Sequence, residues 1–346
     1  MNKILVTGGC GYIGGHTIVD LVANGFDVIS IDDLSRGSLR MLEGVRKVTG
    51  KEIKNYKVDL CNLEDTEAVF IENPDIAGII HFAAFKSVPE SVQQPLKYFN
   101  NNIKSLVNLL QCAQEYKINN FVFSSSCSVY GNPDQLPVNE KCTLAEPESP
   151  YARTKQMGEA ICSDFCVPNP DFNVCLLRYF NPVGAHPSVV IGELQERPEN
   201  LVPVITQTAI GKRPEMQVFG SDYDTRDGSC VRDYIHVMDI ANAHTKALQY
   251  LMESRNTEQC EVFNLGSGNG VTVLELIQAF EKVSGEKLNY KLGPRRAGDV
   301  IAVYADNCKA RAVLDWDIKY DLDSMMDTAW RWELAMKKEF ANMPVK

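Results

Sequence analysis

Residues 1–33 constrain the fold more than any other stretch. Lys3–Thr7 is a short apolar, β-branched run. It opens into the glycine-rich turn Thr7-Gly-Gly-Cys-Gly-Tyr-Ile-Gly14; apolar positions from Tyr12 to Val22 then recur at helical spacing, and Phe26–Ile31 is apolar again before Asp32 and Asp33. Those periods read strand, turn, helix, strand. The alternation continues through Tyr56–Val58 ending at Asp59, Ala77–Phe82, Phe121–Ser124 and Val174–Leu177, with helical stretches between them. Strands that are apolar throughout are expected where both faces of a sheet are covered. With right-handed crossovers, the pattern predicts an α/β, doubly wound parallel sheet over residues 1–180.

After Asn181-Pro182 the rhythm loosens, with Pro182, Pro187, Pro198, Pro203 and Pro214 punctuating a polar segment. A second, smaller lobe is expected over 181–346, with some segments returning to the first domain. Its expected elements are the strand Tyr234–Val237, a helix from Met238 towards Leu251, Val262–Leu265, and helices at Thr272–Val283 and Leu322–Ala335.

Charge narrows the partners. Thirty-five lysines and arginines against 45 acids give a net charge of -10, a poor surface for nucleic acid or an anionic membrane. An anionic ligand would need a local basic pocket. No apolar run approaches the ~20 residues that span a bilayer, and Met1 leads into a strand rather than a secretion signal. Eleven cysteines, an odd number without a repeated short spacing, are expected to be reduced thiols in a cytoplasmic protein. Five scattered histidines and no short ligand spacing point to no metal.

The turn after the first strand contains Gly9-x-Gly11-x-x-Gly14. A diphosphate can approach there because no Cβ intervenes, and the helix N-terminus beyond offers N–H donors and a partial positive charge. Asp32 follows Gly14 by 18 residues, close to the spacing at which a carboxylate receives both adenosine ribose hydroxyls. The same charge repels a 2'-phosphate, so NAD is favoured over NADP, with Arg36 near enough to leave NADP open. The pattern is that of a Rossmann dinucleotide site.

Pro150 starts a helix, placing Lys155 one turn beyond Tyr151 on the same face, so the spacing is expected to bring ammonium beside phenol. A tyrosine needs such help: its ordinary pKa of about 10 is too high for a base near neutrality, and an adjacent cation favours the phenolate. Ser126 ends the run Phe121–Ser126 at the carboxyl edge of the sheet, where open α/β folds bind ligands. Together the three residues suit hydride transfer at a carbinol, the tyrosinate removing the proton while Ser126 bonds the reacting oxygen.

The chain resembles the UDP-glucose 4-epimerase (UDP-galactose 4-epimerase) family, extended members of the short-chain dehydrogenase/reductase superfamily, over nearly its whole length. The wider superfamily is matched by Val6–Gly14, Ser124–Gly131 and Pro150–Lys155. Nucleotide-sugar epimerases are matched more specifically by Leu177–Pro187, Val231–Asp239 and Pro294–Asp299. The resemblance implies a tightly held NAD, reduced and reoxidised within one turnover, and a 4-keto sugar that rotates and takes hydride back on its other face. Tyr151 would take the 4-hydroxyl proton, Ser126 would polarise the C4 oxygen, and Lys155 would serve the tyrosine and the nicotinamide ribose. It implies that Gly8, Gly11, Tyr12, Ile13, Gly14, Asp32, Asp33, Asp59, Leu60, Phe82, Ala83, Lys86, Asn101, Ser124 and Tyr179 lie along NAD. Asn181, Asn200, Leu201, Phe219, Arg232, Tyr234, Arg296 and Asp299 would hold a UDP-hexose, the arginines neutralising its diphosphate. A homodimer through Pro95–Tyr116 and Tyr151–Phe165 is likewise implied.

Three places depart from the family. The loop Ser188–Asn200 matches only at Gly192-Glu193 and, at its end, Asn200-Leu201; Gln217 stands where a small residue is common; and Val303 occupies a position where members restricted to glucose and galactose carry tyrosine. A smaller side chain at 303 leaves room for an acetamido group, so UDP-N-acetylglucosamine and its galactosamine epimer are expected as further substrates. The rivals are the related 4,6-dehydratases, UDP-glucuronate decarboxylases and a UDP-glucuronate 4-epimerase. The first two carry a carboxylic acid just after the active-site serine or threonine, where this chain has Cys127 and Ser128. A non-catalytic NAD sensor could dispense with Tyr151 and Lys155, and both are present.

Overall fold

The computed structural model describes residues 1–195, 198–296 and 300–341. Strand β1 (Lys3–Thr7) leads to helix α1 (Tyr12–Ala23), β2 (Asp27–Ile31) to α2 (Leu39–Thr49), and β3 (Lys54–Tyr56) to α3 (Leu63–Glu72). Next come β4 (Ile76–His81), α4 (Val88–Gln93), α5 (Pro95–Glu115), β5 (Asn120–Ser126), a 3-10 turn at Cys127–Tyr130, α6 (Pro150–Cys166) and β6 (Asn173–Tyr179). The chain continues through β7 (Asn181–Val183), α7 (Leu201–Ala209), β8 (Met216–Phe219), β9 (Val231–His236), α8 (Val237–Met252) and β10 (Cys260–Leu265). It closes with β11 (Gly270–Thr272), α9 (Val273–Ser284), β12 (Tyr290–Gly293), β13 (Ala302–Val303), α10 (Cys308–Leu314) and α11 (Leu322–Ala341).

Seven of these strands form one parallel sheet in the order β10-β6-β5-β4-β1-β2-β3. Alternation along a strand divides its side chains between two cores. Ile4 and Val6 join Ile80 and Val122 under α1, α2 and α8, while Leu5 joins Ile79, Phe121 and Phe123 under α3, α5 and α6. The doubly wound sheet is thus the one the sequence predicts. Strand order reverses between β1 and β4, so the loops leaving them diverge and open a crevice at the carboxyl edge, the usual ligand position in such sheets.

Two segments expected in the second lobe lie elsewhere. β10 closes the edge of the large sheet, pairing with β6 from Cys260–Val174 to Leu265–Tyr179. α8 packs on α1 and gives Ile240, Ala243, Ala247 and Leu248 to the first core. A short apolar run carries no label for the sheet it will join, so spacing alone could not assign it. β3 also ends earlier than expected: Val58 N–H turns back to the Tyr56 carbonyl, leaving Asp59 in the loop beyond.

The remaining strands form a small sheet in which β9 pairs with β7, β11 and β13, and a separate parallel pair, β8 with β12. They and helices α7, α9 and α11 enclose a third core built on Val202, Ile205, Val218, Ile277, Phe280 and Met326.

Candidate active site

The glycine turn is shaped by contacts that exclude side chains. Gly8 has φ +70°, and a Cβ there would stand 2.9 Å from the Ala83 nitrogen; a Cβ on Gly14 would stand 2.2 Å from the Gly8 carbonyl oxygen. The backbone therefore lies bare between the ends of β1 and β4. Gly11 is the N-cap of α1 and no side chain caps that helix, which leaves its first-turn donors facing the crevice. Tyr12 donates its hydroxyl to the Gly184 carbonyl at 2.6 Å, while Ile13 packs against the first core.

Asp32 is 7 % exposed and its carboxylate accepts N–H groups from Cys10 at 3.1 Å and Leu34 at 2.9 Å. Burial raises its pKa above the ordinary carboxylate value, and the two N–H groups oppose that. An ionised carboxylate offers about four lone-pair directions, so acceptor capacity remains for hydroxyls. Arg36 binds Glu90 through two hydrogen bonds of 2.7 and 2.9 Å and lies over the Phe85 ring. Asp33 accepts from Ser35, and Asp59 from Cys61 N–H. Leu60 is buried, its carbonyl taking a bond from Asn108. Phe82 packs on His244, Ala83 N–H meets the Thr7 hydroxyl, Lys86 pairs with Glu193 at 3.4 Å, and Asn101 donates to Asn102.

Ser126, Tyr151 and Lys155 do converge. β5 carries Ser124 and Ser126 on one face, and its neighbour β6 places Tyr179 in register with Ser126; the Ser124 and Tyr179 hydroxyls are hydrogen-bonded. Ser149 caps the first turn of α6 at Ala152 N–H and Pro150 occupies that turn, which fixes where Tyr151 starts. Burial lifts the Tyr151 phenol well above its ordinary value, with Tyr179 adding to the rise and a hydrogen bond with Ser126 opposing it. Lys155 is 5 % exposed; its ammonium donates to the Ser124 carbonyl at 2.6 Å and lies over the Phe123 ring. The expected pairing of ammonium with phenol is therefore replaced here by a backbone anchor. Burial lowers Lys155 to about 8, while Glu159 pushes the other way.

The other side of the crevice is more dispersed. Arg232 on β9 couples electrostatically to Cys127, next to Ser126, and stands in register with Val303 on β13. Val303 is 6 % exposed and packs with Val129, Tyr130, Phe180 and Ala305 in a cluster that also receives Cys127. Asn181 donates to the Asp233 carbonyl, and Tyr234 is buried in the third core. Asn200 is the N-cap of α7 without a side-chain cap bond, and Leu201 follows it into the third core. Phe219 ends β8, 38 % exposed, with the Arg296 guanidinium 5.3 Å from its ring centre. Asp299 lies outside the described residues.

Comparison with known proteins then decides the family. A family profile described as GDP-mannose 4,6 dehydratase matches residues 5–329. The UDP-glucose 4-epimerase of Dictyostelium discoideum is 44 % identical over 333 residues, covering 96 % of each chain. The chain belongs to the UDP-glucose 4-epimerase family. Among solved structures, the family member from Stenotrophomonas maltophila, with bound NAD and formylated UDP-arabinopyranose, superposes with a TM-score of 0.94 at 42 % identity, covering 98 % of this chain and 100 % of that one. The UDP-Glc/GlcNAc 4-epimerase of Campylobacter jejuni gives 0.83 at 39 % identity, covering 97 % and 100 %.

Within this family frame, sequence reading passed over the charges beneath the triad. Arg178, on β6, is 4 % exposed and holds the Glu159 carboxylate through both oxygens, and Ser125 donates to the same carboxylate. A signal was available. An arginine inside the run Val174–Tyr179 breaks an otherwise apolar strand and demands a buried partner.

Proposed function

We propose that this chain interconverts UDP-glucose and UDP-galactose by inverting C4 through a transient 4-keto sugar, with NAD held throughout. The observation that carries the reading is that Ser126, at the end of β5, lies with the half-buried Tyr151 and the anchored Lys155 of α6 at the carboxyl edge, with no carboxyl group at Cys127 or Ser128. Elimination needs such an acid; inversion does not.

The residues fit the dinucleotide. The bare glycine turn and the uncapped start of α1 suit a diphosphate, and Asp32 suits a ribose diol. Arg36 is engaged with Glu90, which favours NAD over its 2'-phosphate relative. When bound, NAD supplies the acceptor and donor of the C4 hydride. Tyr151 takes and returns the 4-hydroxyl proton, Ser126 orients that oxygen, and Lys155 supplies positive charge to the phenol and the nicotinamide ribose. Ser124 and Tyr179 shape the nicotinamide end, and Asp33, Asp59, Leu60, Phe82, Ala83, Lys86 and Asn101 border the rest of the cofactor. Arg232 and Arg296 neutralise the substrate diphosphate, with Phe219, Asn181, Asn200, Leu201 and Tyr234 around them. Val303 packs against the turn that follows Ser126, and a side chain smaller than tyrosine at that position would admit an N-acetyl group at C2.

A cytoplasmic homodimer accompanies this reading. Leu96 is 80 % exposed and Val92 60 %, beside Val88, Val107 and Met157 on α4, α5 and α6, an apolar face that a second copy would cover. Light scattering after size exclusion is expected to give twice the 38.6 kDa chain mass; a monomer would refute the dimer.

The decisive experiment incubates purified protein with UDP-galactose, and separately with UDP-N-acetylgalactosamine, without added cofactor, and separates the sugars by chromatography. Conversion of both is expected. Conversion of the first alone removes the N-acetyl substrates, and conversion of neither removes the function.

A further inference from the structure

Two charges buried under a sheet are costly, and an apolar pair of similar volume is often no less stable. Glu159 and Arg178 therefore call for an explanation beyond packing. Glu159 lies one helical turn past Lys155 on α6. Its carboxylate takes Arg178 Nε at 2.8 Å, Arg178 Nη2 at 2.5 Å and the Ser125 hydroxyl at 2.5 Å. In the sheet register Ser125 pairs with Arg178, as Ser126 pairs with Tyr179. Arg178 Nη1 also donates to Tyr130 at 3.0 Å, and Tyr130 donates to Asn264 at 2.7 Å, reaching the turn after Ser126 and the edge strand β10.

Lys155, by contrast, has only a neutral partner. Its ammonium is 5 % exposed and bonds the Ser124 carbonyl, and among the described residues no carboxylate pairs with it directly. The titratable groups coupled to it are Glu159 and Cys162 on its own helix and His81 on β4, whose imidazole burial keeps neutral. From α5 the neutral Asn102 reaches the adjacent Thr154, and from β10 Cys260 faces Cys162. Glu159 is thus the anion whose field reaches this ammonium.

We propose that Glu159, fixed by Arg178 and Ser125, is a positioning residue for hydride transfer: it keeps Lys155 cationic and holds the serine strand in place against the tyrosine–lysine helix. The inference rests on the proposed function and adds to it the group that sets its alkaline limit. Burial drives Lys155 down towards neutrality and Glu159 is the main opposing influence. Removing that carboxylate should let the lysine lose its proton at lower pH.

The test compares the pH dependence of kcat for UDP-galactose in wild type, Glu159→Gln, and the double variant Glu159→Leu with Arg178→Met. The single variant strands Arg178 and is the more prone to misfold; the double removes both charges. The alkaline limb is expected to move down by about one pH unit in E159Q and by a similar amount in the double variant, since both lack the carboxylate. Glu159→Asp is expected to restore most of the shift. The pH above which bound NAD is lost on gel filtration should move in parallel. Folded variants with an unmoved limb, a uniform loss at every pH, or failure of both variants to fold would each assign the pair a purely structural role and overturn the proposal. Absence of wild-type turnover would overturn the function and this inference with it.

Discussion

Burial holds the Tyr151 phenol above its ordinary range, and the bond from Ser126 is the influence that lowers it. A base so placed works only when an adjoining cation compensates, which gives the tyrosine hydroxyl, rather than its ring, the chemical role. Tyr151→Phe keeps the ring and is expected to lower kcat by about 10³-fold while the protein still elutes with bound NAD. Turnover within about tenfold of wild type would show that another group carries the proton. Ser126, Tyr151 and Lys155 were legible because strand end, helix start and four-residue spacing are local properties of the chain. The direction of the Lys155 ammonium was not, since it depends on how close the Ser124 carbonyl comes across the β5–α6 interface. Glu159 was equally hidden: an acid four residues past a lysine reads as a solvent-facing helical pair until a buried arginine from another strand claims it.

Among elements, helix starts differ in how their first turn is satisfied. Ser38, Asn62, Ser87, Ser149, His236 and Thr272 each place a side-chain acceptor on the first turn of their helix, whereas the starts of α1, α5, α7 and α10 carry no such bond. The cap on α6 matters most for chemistry, because Tyr151 lies two residues beyond Ser149. Ser149→Ala is expected to cost about 1 kcal/mol in urea unfolding, and to lower kcat more than it raises KM, since the frayed turn carries the base rather than a binding group. An unchanged kcat in a destabilised variant would show that Tyr151 is held by its tertiary contacts alone. Element identity was readable from hydrophobic period, which is why β1, α1, β2, β5 and β6 agree with expectation. Sheet membership was not readable: β10 and α8 are placed by pairing and packing with segments far away in the chain.

Across the whole molecule, four of the five histidines are buried and held neutral: His16 and His244 at about 4, His81 and His236 at about 3, burial being the main cause in each. The geometry explains why a second proton is unwelcome. His16 and His244 use Nδ1 on a carbonyl of their own helix, and Nε2 of each has no hydrogen-bond partner among the described residues. His236 Nδ1 already accepts the Met238 N–H. Because these folded-state values lie below the unfolded one of about 6.5, their stabilisation is complete above that pH and is lost as pH falls towards 3–4. At pH 5 each site costs on the order of 2 kcal/mol, and His16 and His236 are coupled, so the costs do not simply add. Asp239 acts in the opposite sense. Burial raises it to about 6, so it gains about 1.4 kcal/mol as pH drops from 7 to 5, and Asp20, Asp32 and Asp233 are raised in the same direction. Four such histidines together outweigh Asp239, a loss that matters against an ordinary folding stability of about 5–15 kcal/mol. The urea midpoint at pH 5 is therefore expected to lie about 1 M or more below that at pH 7.5; an equal or higher midpoint at pH 5 would mean that the raised carboxylates, not the buried imidazoles, govern the response to acid.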